Sequence, residues 1–573
     1  MSNNLEVEKL KGEVDRLKKE LKKRKKYGLV WEEKPEEVAE ICKEKLPVLK
    51  EVKNKEIITD EEKPVNLLIE GDNYHALSVL NYTHAKKVDV IYIDPPYNTG
   101  SSKWIYNNKY VDSEDAFRHS KWLSFMFKRL KLARNLLKDN GVIICTIDDY
   151  EIHSLGLLMD EIFGENNRMS ILVIESNPRG RTSNAFFATS HEYYLFYGRN
   201  ALKCKIEEHP LNEEQSAAFK YKDDISYYRL LPMRKSGAAS RRNERPKQFY
   251  PIYVNKNNLE LSMTKLSKNW EELLPIDESG EERVWKLGRG NCEKYIKSGD
   301  VVAKRGRNGI KLYQKDRIKS GRKPKTMWID PKYDASAHGT NLIAEILRKR
   351  NIFEYPKSLY AVIDSLKTII TANKNALVLD FFAGSGTTGH AVLELNKEDG
   401  GNRKFILCTS NEDNNGNGYK IATDICYPRI RNVIKGYQKI RGDKVEGLSG
   451  NLKYFKTDFV DYDEPTDRNK IKLTKQATEM LCIKEGTFEK VIDNERFKVF
   501  KNSDHYTGII WDQAAIPAFK KAIKDIKGKF SVYIFSLGDE TFDDEFKDVK
   551  QKVQLSPIPE AILRVYRRIF KWV

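Results

Sequence analysis

The chain alternates short apolar runs with amphipathic stretches in two separate regions, and this alternation limits the folds open to it. Between residues 66 and 149, "NLLIEG", "VDVIYID" and "GVIICTIDD" are strand-like and are separated by helical segments at 73–82 and 120–141. The same alternation returns from 342 to 413. Strands joined through helices pair in parallel, so we predict an α/β fold with a doubly wound, mostly parallel sheet.

The segment between these regions breaks the alternation and is rich in Arg, Lys, Tyr and Asn. It therefore indicates an insert within one α/β domain. After residue 445, short strands and a final helix predict a small α+β region. Five apolar residues between 7 and 21 follow a 3-4-3-4 spacing, which fits a coiled-coil seam in a dimer or an amphipathic surface helix. The predicted segments are an N-terminal helix at 1–28, the first half of the α/β domain at 29–175, the insert at 176–335, the second half at 336–444 and a C-terminal domain at 445–573.

The insert carries a large share of the positive charge. The formal net charge of the chain is +18, and residues 301–325 contain ten Lys or Arg against one acid, Asp316. A basic run this dense indicates phosphates as partners, although a solvated basic loop has the same composition. A second stretch, 241–254, interleaves basic and aromatic side chains. The candidate nucleic-acid contacts are Arg241, Arg242, Arg245, Lys304, Arg305, Arg307 and Lys311.

The remaining composition narrows the class of protein. The seven cysteines are scattered without a C-x-x-C pair, which predicts a reducing cytoplasm and neither a metal site nor a disulfide framework. We find no apolar run of about 18 residues and no signal peptide, so no membrane association is expected. The chain also lacks a G-x-x-x-x-G-K-[ST] phosphate loop, so any ATP-driven step would belong to a separate partner.

A glycine-rich turn lies in the second α/β region. "ALVLDFFAGSGTTGHAVLEL" is a strand, a turn and a helix in which Gly384, Gly386 and Gly389 fit G-x-G-x-x-G. Glu412 follows the next strand, where an acid would bind a ribose hydroxyl pair. This pattern predicts a nucleoside-type cofactor; NAD and S-adenosylmethionine (AdoMet) both fit, and a turn without a ligand is the alternative.

The stretch "VIYIDPPYNTG" at 90–100 ends an apolar strand on an acid and two prolines. D-P-P-Y at such a position resembles the catalytic motif of DNA amino-methyltransferases. An exocyclic amine is a poor nucleophile, and Asp94 with the carbonyl of Pro95 can accept hydrogen bonds from its two hydrogens. The prolines fix the backbone, and Tyr97 can stack on a base extruded from the duplex. An ordinary Pro-Pro turn is the alternative interpretation.

The resemblance extends well beyond these motifs. "NLLIEGDNYHALSVL", "FRHSKWLSFMFKRLKLARNLLKDNGVIICTIDDYE", "FEYPKSLYAVIDSL" and "RKFILCTSNED" resemble the modification (Mod) subunits of Type III restriction systems. D-P-P-Y placed before F-x-G-x-G, with a recognition insert between them, is typical of the β group of these enzymes. The resemblance implies an AdoMet-dependent adenine-N6 DNA methyltransferase that acts as a homodimer on duplex DNA beside a separate restriction subunit.

The resemblance also implies the site residues. The catalytic residues would be Asp94, Pro95, Pro96 and Tyr97. The cofactor would be bound by Asp380, Phe382, Ala383, Gly384, Ser385, Gly386, Thr387 and Glu412, with Lys357 and Ser358 of the family's P-K-S helix start lining the methionine pocket.

Several interpretations stay open at this level. His119, Ser120 and Trp122 match the family's H-S-x-W, but an N-cap and a core role explain Ser120 and Trp122 equally well. Asp148 and Asp149 end a strand and fit a loop as well as a substrate contact. The alternative functions are an N4-cytosine or a solitary adenine methyltransferase, an NAD-dependent dehydrogenase and a non-catalytic DNA-binding protein.

Overall fold

A computed structural model describes residues 31–99, 101–106, 109–112, 117–180, 186–211, 213–306, 309–319, 321–413, 418–461, 467–503, 505–538, 540 and 542–570. These residues form two compact units: Glu208–Pro324 is one, and the chain before and after it forms the other. The predicted helix at 1–28 and the candidate contact Arg307 lie outside the described residues.

Among the described residues, the first part of the larger unit contains eight strands and four α-helices. The strands are β1 (Lys45–Glu51), β2 (Val65–Glu70), β3 (Val88–Ile93), β4 (Ser101–Tyr106), β5 (Lys109–Asp112), β6 (Leu137–Ile147), β7 (Arg168–Glu175) and β8 (His191–Gly198). Three of the strands, β2, β3 and β6, cover most of the three apolar runs predicted in this region. The helices are α1 (Glu37–Glu40), α2 (Asn73–Thr83), α3 (Arg118–Leu136) and α4 (Ile152–Phe163).

The smaller unit is built from two antiparallel sheets around its own apolar core. Its members are α5 (Glu213–Ala217), β9 (Tyr221–Lys222), β10 (Tyr227–Pro232), β11 (Ile252–Asn255), β12 (Leu261–Ser262), β13 (Trp270–Leu273), α6 (Arg289–Lys297), β14 (Val301–Gly306) and β15 (Gly309–Arg317). The sheet orders are β14-β15-β10-β9 and β12-β11-β13. The basic run at 301–325 is therefore largely a β-hairpin.

The larger unit resumes after the insert. It contains β16 (Met327–Trp328), α7 (Leu342–Leu347), α8 (Leu359–Ile370), β17 (Leu377–Asp380), α9 (Thr387–Asp399), β18 (Lys404–Thr409), α10 (Tyr427–Lys435), β19 (Gly436–Gln438), β20 (Lys444–Glu446) and β21 (Asn451–Asp461). The C-terminal part adds α11 (Asp467–Gln476), α12 (Thr478–Glu485), β22 (Glu489–Asp493), β23 (Phe497–Lys501), β24 (His505–Ile510), α13 (Ile516–Ile523), β25 (Lys529–Phe535), β26 (Val553–Ile558) and α14 (Glu560–Phe570).

A ten-stranded sheet organises the larger unit, in the order β1-β21-β2-β18-β17-β3-β6-β8-β7-β16. Its central run, from β21 to β6, is parallel, whereas β1 and β8 pair antiparallel with their neighbours. The predicted α/β fold with a mostly parallel sheet is confirmed at this level. Among the described residues, no helix is both long and apolar enough to cross a bilayer.

The boundaries of the segments differ in detail from the predicted ones. Strands β8 and β16 lie in the ten-stranded sheet, so the smaller unit is shorter than 176–335. Strand β21 also joins that sheet, although it follows residue 445, and the last five strands form a sheet of their own. The helix predicted to end at Asn140-Gly141 instead ends at Leu136, because Leu137 already pairs with Val88 of β3.

Strands β3 and β17 are direct parallel neighbours, with Val378 beside Val90 and Leu379 beside Ile91. All six residues of β3 are buried, as expected for a strand covered on both faces of a parallel sheet. Because the carboxyl ends of parallel strands meet at one edge, D-P-P-Y and the glycine turn lie side by side there.

Candidate active site

Asp94 is the first residue after β3, and the protein anchors its carboxylate by one oxygen. Thr146 Oγ1, at the end of the neighbouring strand β6, donates a 2.6 Å hydrogen bond to Asp94 Oδ1. Lys357 Nζ lies 3.1 Å from the same oxygen. Neither contact uses Oδ2, and the side chain is 28% exposed. The carboxylate is thus fixed in direction and can accept a further hydrogen bond.

The prolines after Asp94 are held from a helix of the same unit. Trp122 of α3 is fully buried, and its Nε1 donates a 2.6 Å hydrogen bond to the Pro96 carbonyl oxygen. Asn98, at a positive φ of 54°, donates to Glu151 Oε1 at 2.5 Å, and His119 Nδ1 lies at the same distance from that oxygen. These contacts rigidify the exit of β3 on both sides of Tyr97.

Tyr97 is tied to the site through its hydroxyl. The hydroxyl oxygen lies 3.0 Å from Glu192 Oε2 and 3.3 Å from Thr146 Oγ1. Burial, followed by the negative charges of Asp94 and Glu192, raises the pKa of Tyr97 well above its usual value. The phenol therefore stays protonated and can donate a hydrogen bond.

Lys357 joins the motif from the segment before α8. Its Nζ donates to the Tyr97 hydroxyl at 2.5 Å and to Glu192 Oε2 at 2.7 Å, in addition to its ion pair with Asp94. Burial lowers the pKa of the Lys357 ammonium, but attraction to Asp94 and Glu192 outweighs burial and holds that pKa above its usual value. Lys357 is a permanent cation beside the D-P-P-Y motif.

The glycine turn follows β17 with the backbone geometry that its sequence predicts. Gly386 has φ +83°, and Gly384 has φ +47°, a region that residues with a Cβ seldom adopt. A Cβ on Gly389 would lie 2.9 Å from both Ile430 Cδ1 and Leu407 Cδ1, so this glycine lets α9 pack closely on the sheet. Gly384 and Gly386 thus form the tight turn after β17, and Gly389 allows the close packing of the helix that follows.

The carboxylate of Asp380 accepts two hydrogen bonds from the glycine turn and the start of α9. Its Oδ1 accepts from the Phe382 amide at 2.9 Å, and its Oδ2 accepts from Thr388 Oγ1 at 2.5 Å. The carboxyl is almost fully buried, and burial is the main cause that raises its pKa to about 7, with the charge of Asp94 adding to the effect. A buried acid of this kind is half ionised at neutral pH and favours a cation nearby.

A buried arginine lies behind the turn. Arg429 of α10 is fully buried and donates to Ser385 Oγ at 2.9 Å and to Thr387 Oγ1 at 2.8 Å. Burial lowers the pKa of its guanidinium to about 10. Among the described residues, no carboxylate forms an ion pair with it. Arg429 therefore orders the two hydroxyl side chains of the turn at a desolvation cost.

The other predicted cofactor residues lie near this edge. Phe382 and Ala383 belong to the same turn, and Glu412 lies exposed three residues after β18. Ser358 is the residue before α8, and its Oγ donates to the Lys332 carbonyl at 2.8 Å. Lys357 contacts Asp94, which places it against the D-P-P-Y motif.

The structure gives local contacts for the residues whose roles the sequence left open. Ser120 is the third residue of α3 and is not its N-cap. Trp122 is a core residue that also fixes Pro96. Asp148 accepts from the Tyr150 amide within a turn, and Asp149 Oδ1 accepts from the Tyr193 hydroxyl at 2.9 Å. Both acids thus have local structural partners.

The candidate DNA contacts of the smaller unit fall into two sets. Arg241 pairs with Glu281 at 2.8 Å, and Arg242 pairs with Glu282 at 2.9 Å. On the hairpin, Lys311 pairs with Glu278 at 3.0 Å and Arg305 donates to the Lys256 carbonyl. All of these cations are exposed at the surface, as are Arg245 and Lys304.

Sequence reasoning missed several residues that contact the two motifs, among them Thr146, Glu151, Glu192 and Arg429. Thr146 precedes the acids that end β6, so the adjacency of β3 and β6 could have singled it out. Glu192 is the one acid in the otherwise apolar and aromatic strand "HEYYLFYG", and it is only 7% exposed. A charged residue in such a strand is the available signal, but the sequence does not show that β8 runs antiparallel to β6.

Comparison with known proteins finds a matching family model and similar sequences among DNA methyltransferases. The sequence profile described as DNA methylase (N6_N4_Mtase) matches residues 88–414. The Type III restriction-modification enzyme EcoPI Mod subunit of Escherichia phage P1 is 35% identical over 410 residues, covering 65% of this chain and 62% of that protein. The Type II methyltransferase M.KpnI of Klebsiella pneumoniae is 35% identical over 386 residues, covering 66% of this chain and 89% of that protein. The chain thus spans less than two thirds of the EcoPI subunit and most of M.KpnI.

Among solved structures, the M1.HpyAVI–SAM complex is 14% identical, covers 64% of this chain and 98% of its own, and superposes with a TM-score of 0.29. The cytosine-N4-specific PvuII DNA methyltransferase is 11% identical and superposes with a TM-score of 0.33. The match covers 65% of this chain and 94% of the PvuII enzyme.

Proposed function

We propose, from the premise that this chain belongs to the DNA methylase family, that it transfers a methyl group from AdoMet to the N6 amino group of adenine in duplex DNA. The proposal rests on one observation above all. The D-P-P-Y motif and the glycine turn follow adjacent parallel strands, so an amine acceptor and a nucleoside cradle share one edge of the sheet.

The charges of the site favour AdoMet over NAD. Asp94, Glu192 and Asp380 are three acids, whereas the cations are two: Lys357, which pairs with the first two acids, and Arg429 behind the glycine turn. A cluster with excess negative charge stabilises a cationic ligand and repels the pyrophosphate of a dinucleotide. AdoMet, which carries a positive sulfonium and supplies an electrophilic methyl group, suits this cluster. The dehydrogenase alternative does not.

The protein's own residues would bind and orient the amine. Asp94 Oδ2, together with the Pro95 carbonyl, accepts the two N–H groups of the target base and holds the nitrogen lone pair in one direction. When the nitrogen bonds to the methyl carbon, the carbon–sulfur bond breaks and the nitrogen gains a positive charge. The nitrogen then releases one proton, for which Asp94 Oδ2 is an available base.

Extrusion of the base would use Tyr97 as a stacking partner. Stacking of a base on an aromatic ring contributes about 1–3 kcal/mol, which offsets part of the cost of unstacking the base from the duplex. The contacts of the Tyr97 hydroxyl with Lys357 and Glu192 fix the ring, so it does not have to be ordered when the base arrives.

The test is a methyl-transfer assay with tritiated AdoMet and mixed-sequence DNA. Wild type should label the DNA, and Asp94→Asn, which keeps the shape of the side chain, should lower the rate at least a hundredfold. Asp139→Asn is the matched control, because Asp139 lies at the opposite end of the sheet and pairs with Lys203 at the surface. Absence of labelling by wild type on every DNA tried would refute the proposal.

Digestion of the labelled DNA to nucleosides identifies the base. We expect N6-methyladenine, because family members that methylate adenine usually carry Asp at the first position of the D-P-P-Y motif. Recovery of N4-methylcytosine would keep the enzyme class and change the substrate.

We further propose that the chain is the modification subunit of a Type III system and acts as a homodimer beside an ATP-dependent restriction subunit. The likeness to the EcoPI Mod subunit supports this assignment, whereas the 89% coverage of M.KpnI favours a methyltransferase that acts without a nuclease partner. Affinity purification of the tagged chain from its own host distinguishes the two: a co-purifying ATPase supports the first, and a catalytically active chain without one supports the second.

A further inference from the structure

We propose that Glu192 is a positioning residue for methyl transfer, which holds Lys357 and Tyr97 so that Asp94 keeps one carboxylate oxygen for the target amine. The inference rests on the proposed function. Glu192 belongs to none of the motifs that the sequence singles out, and it reaches the site from β8.

The contacts of Lys357 carry the inference. An ammonium group has three N–H donors, and Lys357 Nζ directs them at three acceptors: the Tyr97 hydroxyl at 2.5 Å, Glu192 Oε2 at 2.7 Å and Asp94 Oδ1 at 3.1 Å. The contact with Glu192 is shorter than the contact with Asp94. Glu192 is thus the nearer counter-charge of Lys357, and Asp94 is its more distant partner.

The nearer contact of Lys357 with Glu192 matters because Asp94 must accept a hydrogen bond from the target amine. If Glu192 were neutral, Asp94 would be the nearest carboxylate left for the buried ammonium, and the two would pair more closely. A carboxylate that neutralises a cation is a weaker hydrogen-bond acceptor and a weaker base. The buried Glu192 charge therefore keeps Asp94 reactive.

Glu192 also fixes the geometry of the motif. Its Oε2 lies 3.0 Å from the Tyr97 hydroxyl, and its Oε1 lies 3.5 Å from the hydroxyl of Tyr194 on the same strand. A purely structural ion pair would explain these contacts but predicts no specific effect on the transfer step. The experiment has to separate the two roles.

Single-turnover methyl transfer at saturating AdoMet and DNA measures the step itself. Glu192→Gln keeps the size and an acceptor oxygen of the side chain, and we expect its rate to fall about tenfold or more while its affinity for DNA changes less than threefold. Glu192→Asp restores the charge, and the flexible Lys357 side chain can follow it, so most of the rate should return. A Glu192→Asp variant as slow as Glu192→Gln would overturn the inference.

A double-variant comparison tests whether Glu192 acts through Lys357. The Glu192→Gln/Lys357→Met variant should be slower than Lys357→Met by a smaller factor than the one that separates Glu192→Gln from wild type, because only the direct contact of Glu192 with the Tyr97 hydroxyl is then left to lose. Rate losses that multiply in the double variant would overturn the inference, and so would a wild-type rate for Glu192→Gln. Failure of wild type itself to methylate any DNA would instead refute the proposed function.

Glu485→Gln is the control for loss of a partly buried, hydrogen-bonded carboxylate. Glu485 accepts from the Tyr533 hydroxyl at 2.6 Å and from Ser531 Oγ at 2.9 Å in the C-terminal part of the chain. This variant should melt at a lower temperature and keep the wild-type transfer rate. An equal loss of rate in Glu485→Gln would show that the effect of Glu192→Gln is general destabilisation and would overturn the inference.

Discussion

Trp122 Nε1 donates a 2.6 Å hydrogen bond to the carbonyl oxygen of Pro96, so a fully buried core side chain fixes the peptide that follows the acceptor residues Asp94 and Pro95. Trp122→Phe keeps most of the buried ring and removes the donor. We expect a stability loss of about 1–3 kcal/mol from the unsatisfied carbonyl and the smaller side-chain volume, and a transfer rate reduced about tenfold. Thermal melts and single-turnover rates measure the two effects.

Trp328→Phe is the control for this prediction. Trp328 is buried and donates to the Lys325 carbonyl at 2.7 Å, on the edge strand β16. It should lose a similar amount of stability without the loss of rate. If Trp122→Phe were as active as wild type, the Pro96 contact would be structural only.

The buried carboxyl of Asp380 predicts that AdoMet binding depends on pH. Burial raises the pKa of Asp380 to about 7, so its ionised form, which attracts the cationic cofactor, becomes populated as the pH rises from 6 to 8. If only the ionised form binds, the affinity rises roughly tenfold over this interval. Isothermal titration at several pH values measures it.

Asp380→Asn should bind AdoMet weakly and with no dependence on pH in this range. Asp364→Asn, which changes a buried acid of α8 that accepts from the Tyr333 hydroxyl, should keep the wild-type curve. A pH dependence that survives in Asp380→Asn would assign the titration to another group.

Arg429 and Arg403 are both fully buried, yet only Arg403 has a counter-ion among the described residues. Arg403 pairs with Asp399 at 2.8 Å, whereas Arg429 contacts hydroxyls of the glycine turn. Arg403→Met should cost about 1–3 kcal/mol of folding free energy, because it leaves the Ile370 carbonyl oxygen and the partly exposed carboxylate of Asp399 without their donor. Arg429→Met removes a cation whose burial is unfavourable, so stability should stay within about 1 kcal/mol of wild type or rise.

The same Arg429→Met variant should bind AdoMet several-fold more weakly, since Ser385 and Thr387 lose the donor that orders them. Chemical denaturation and calorimetric binding give the two values. A large loss of stability in Arg429→Met would show that Arg429 stabilises the fold, and would contradict a role limited to ordering Ser385 and Thr387 for AdoMet.

The sequence was sufficient for the local parts of the site and insufficient for the contacts between distant strands. Asp94 and Gly384 follow apolar runs whose parallel pairing the βαβ alternation predicts, so both motifs could be placed at one edge. Glu192 and Thr146 could not be placed, because their contacts depend on which strands are neighbours and on the reversed direction of β8. The predicted end of the helix near residue 141 was wrong for a related reason: pairing with β3 begins at residue 137, so the chain is already a strand there.

The exposed cations of the hairpin β14–β15 predict a salt-dependent affinity for DNA. Lys304 and Arg305 are exposed on this hairpin, and neutralising both with Gln should lower the slope of log affinity against log salt by about 0.9 for each DNA phosphate that they would otherwise neutralise. Lys547→Gln, which changes a lysine of the C-terminal part that is 74% exposed, should leave the slope unchanged. An unchanged slope in the hairpin variant would identify this surface as a solvated face.

Gly389 and Gly156 are both helical glycines, but only Gly389 lies where a Cβ has no room. A methyl group on Gly389 would lie 2.9 Å from Ile430 Cδ1 and Leu407 Cδ1, whereas one on Gly156 would have no atom within 4 Å. Gly389→Ala should therefore destabilise the fold by about 1–3 kcal/mol through overpacking between α9 and the sheet. Gly156→Ala should stabilise it by up to about 1 kcal/mol, since alanine is the better helix former. Denaturant melts that gave both substitutions the same sign would contradict the close packing of α9 against β18.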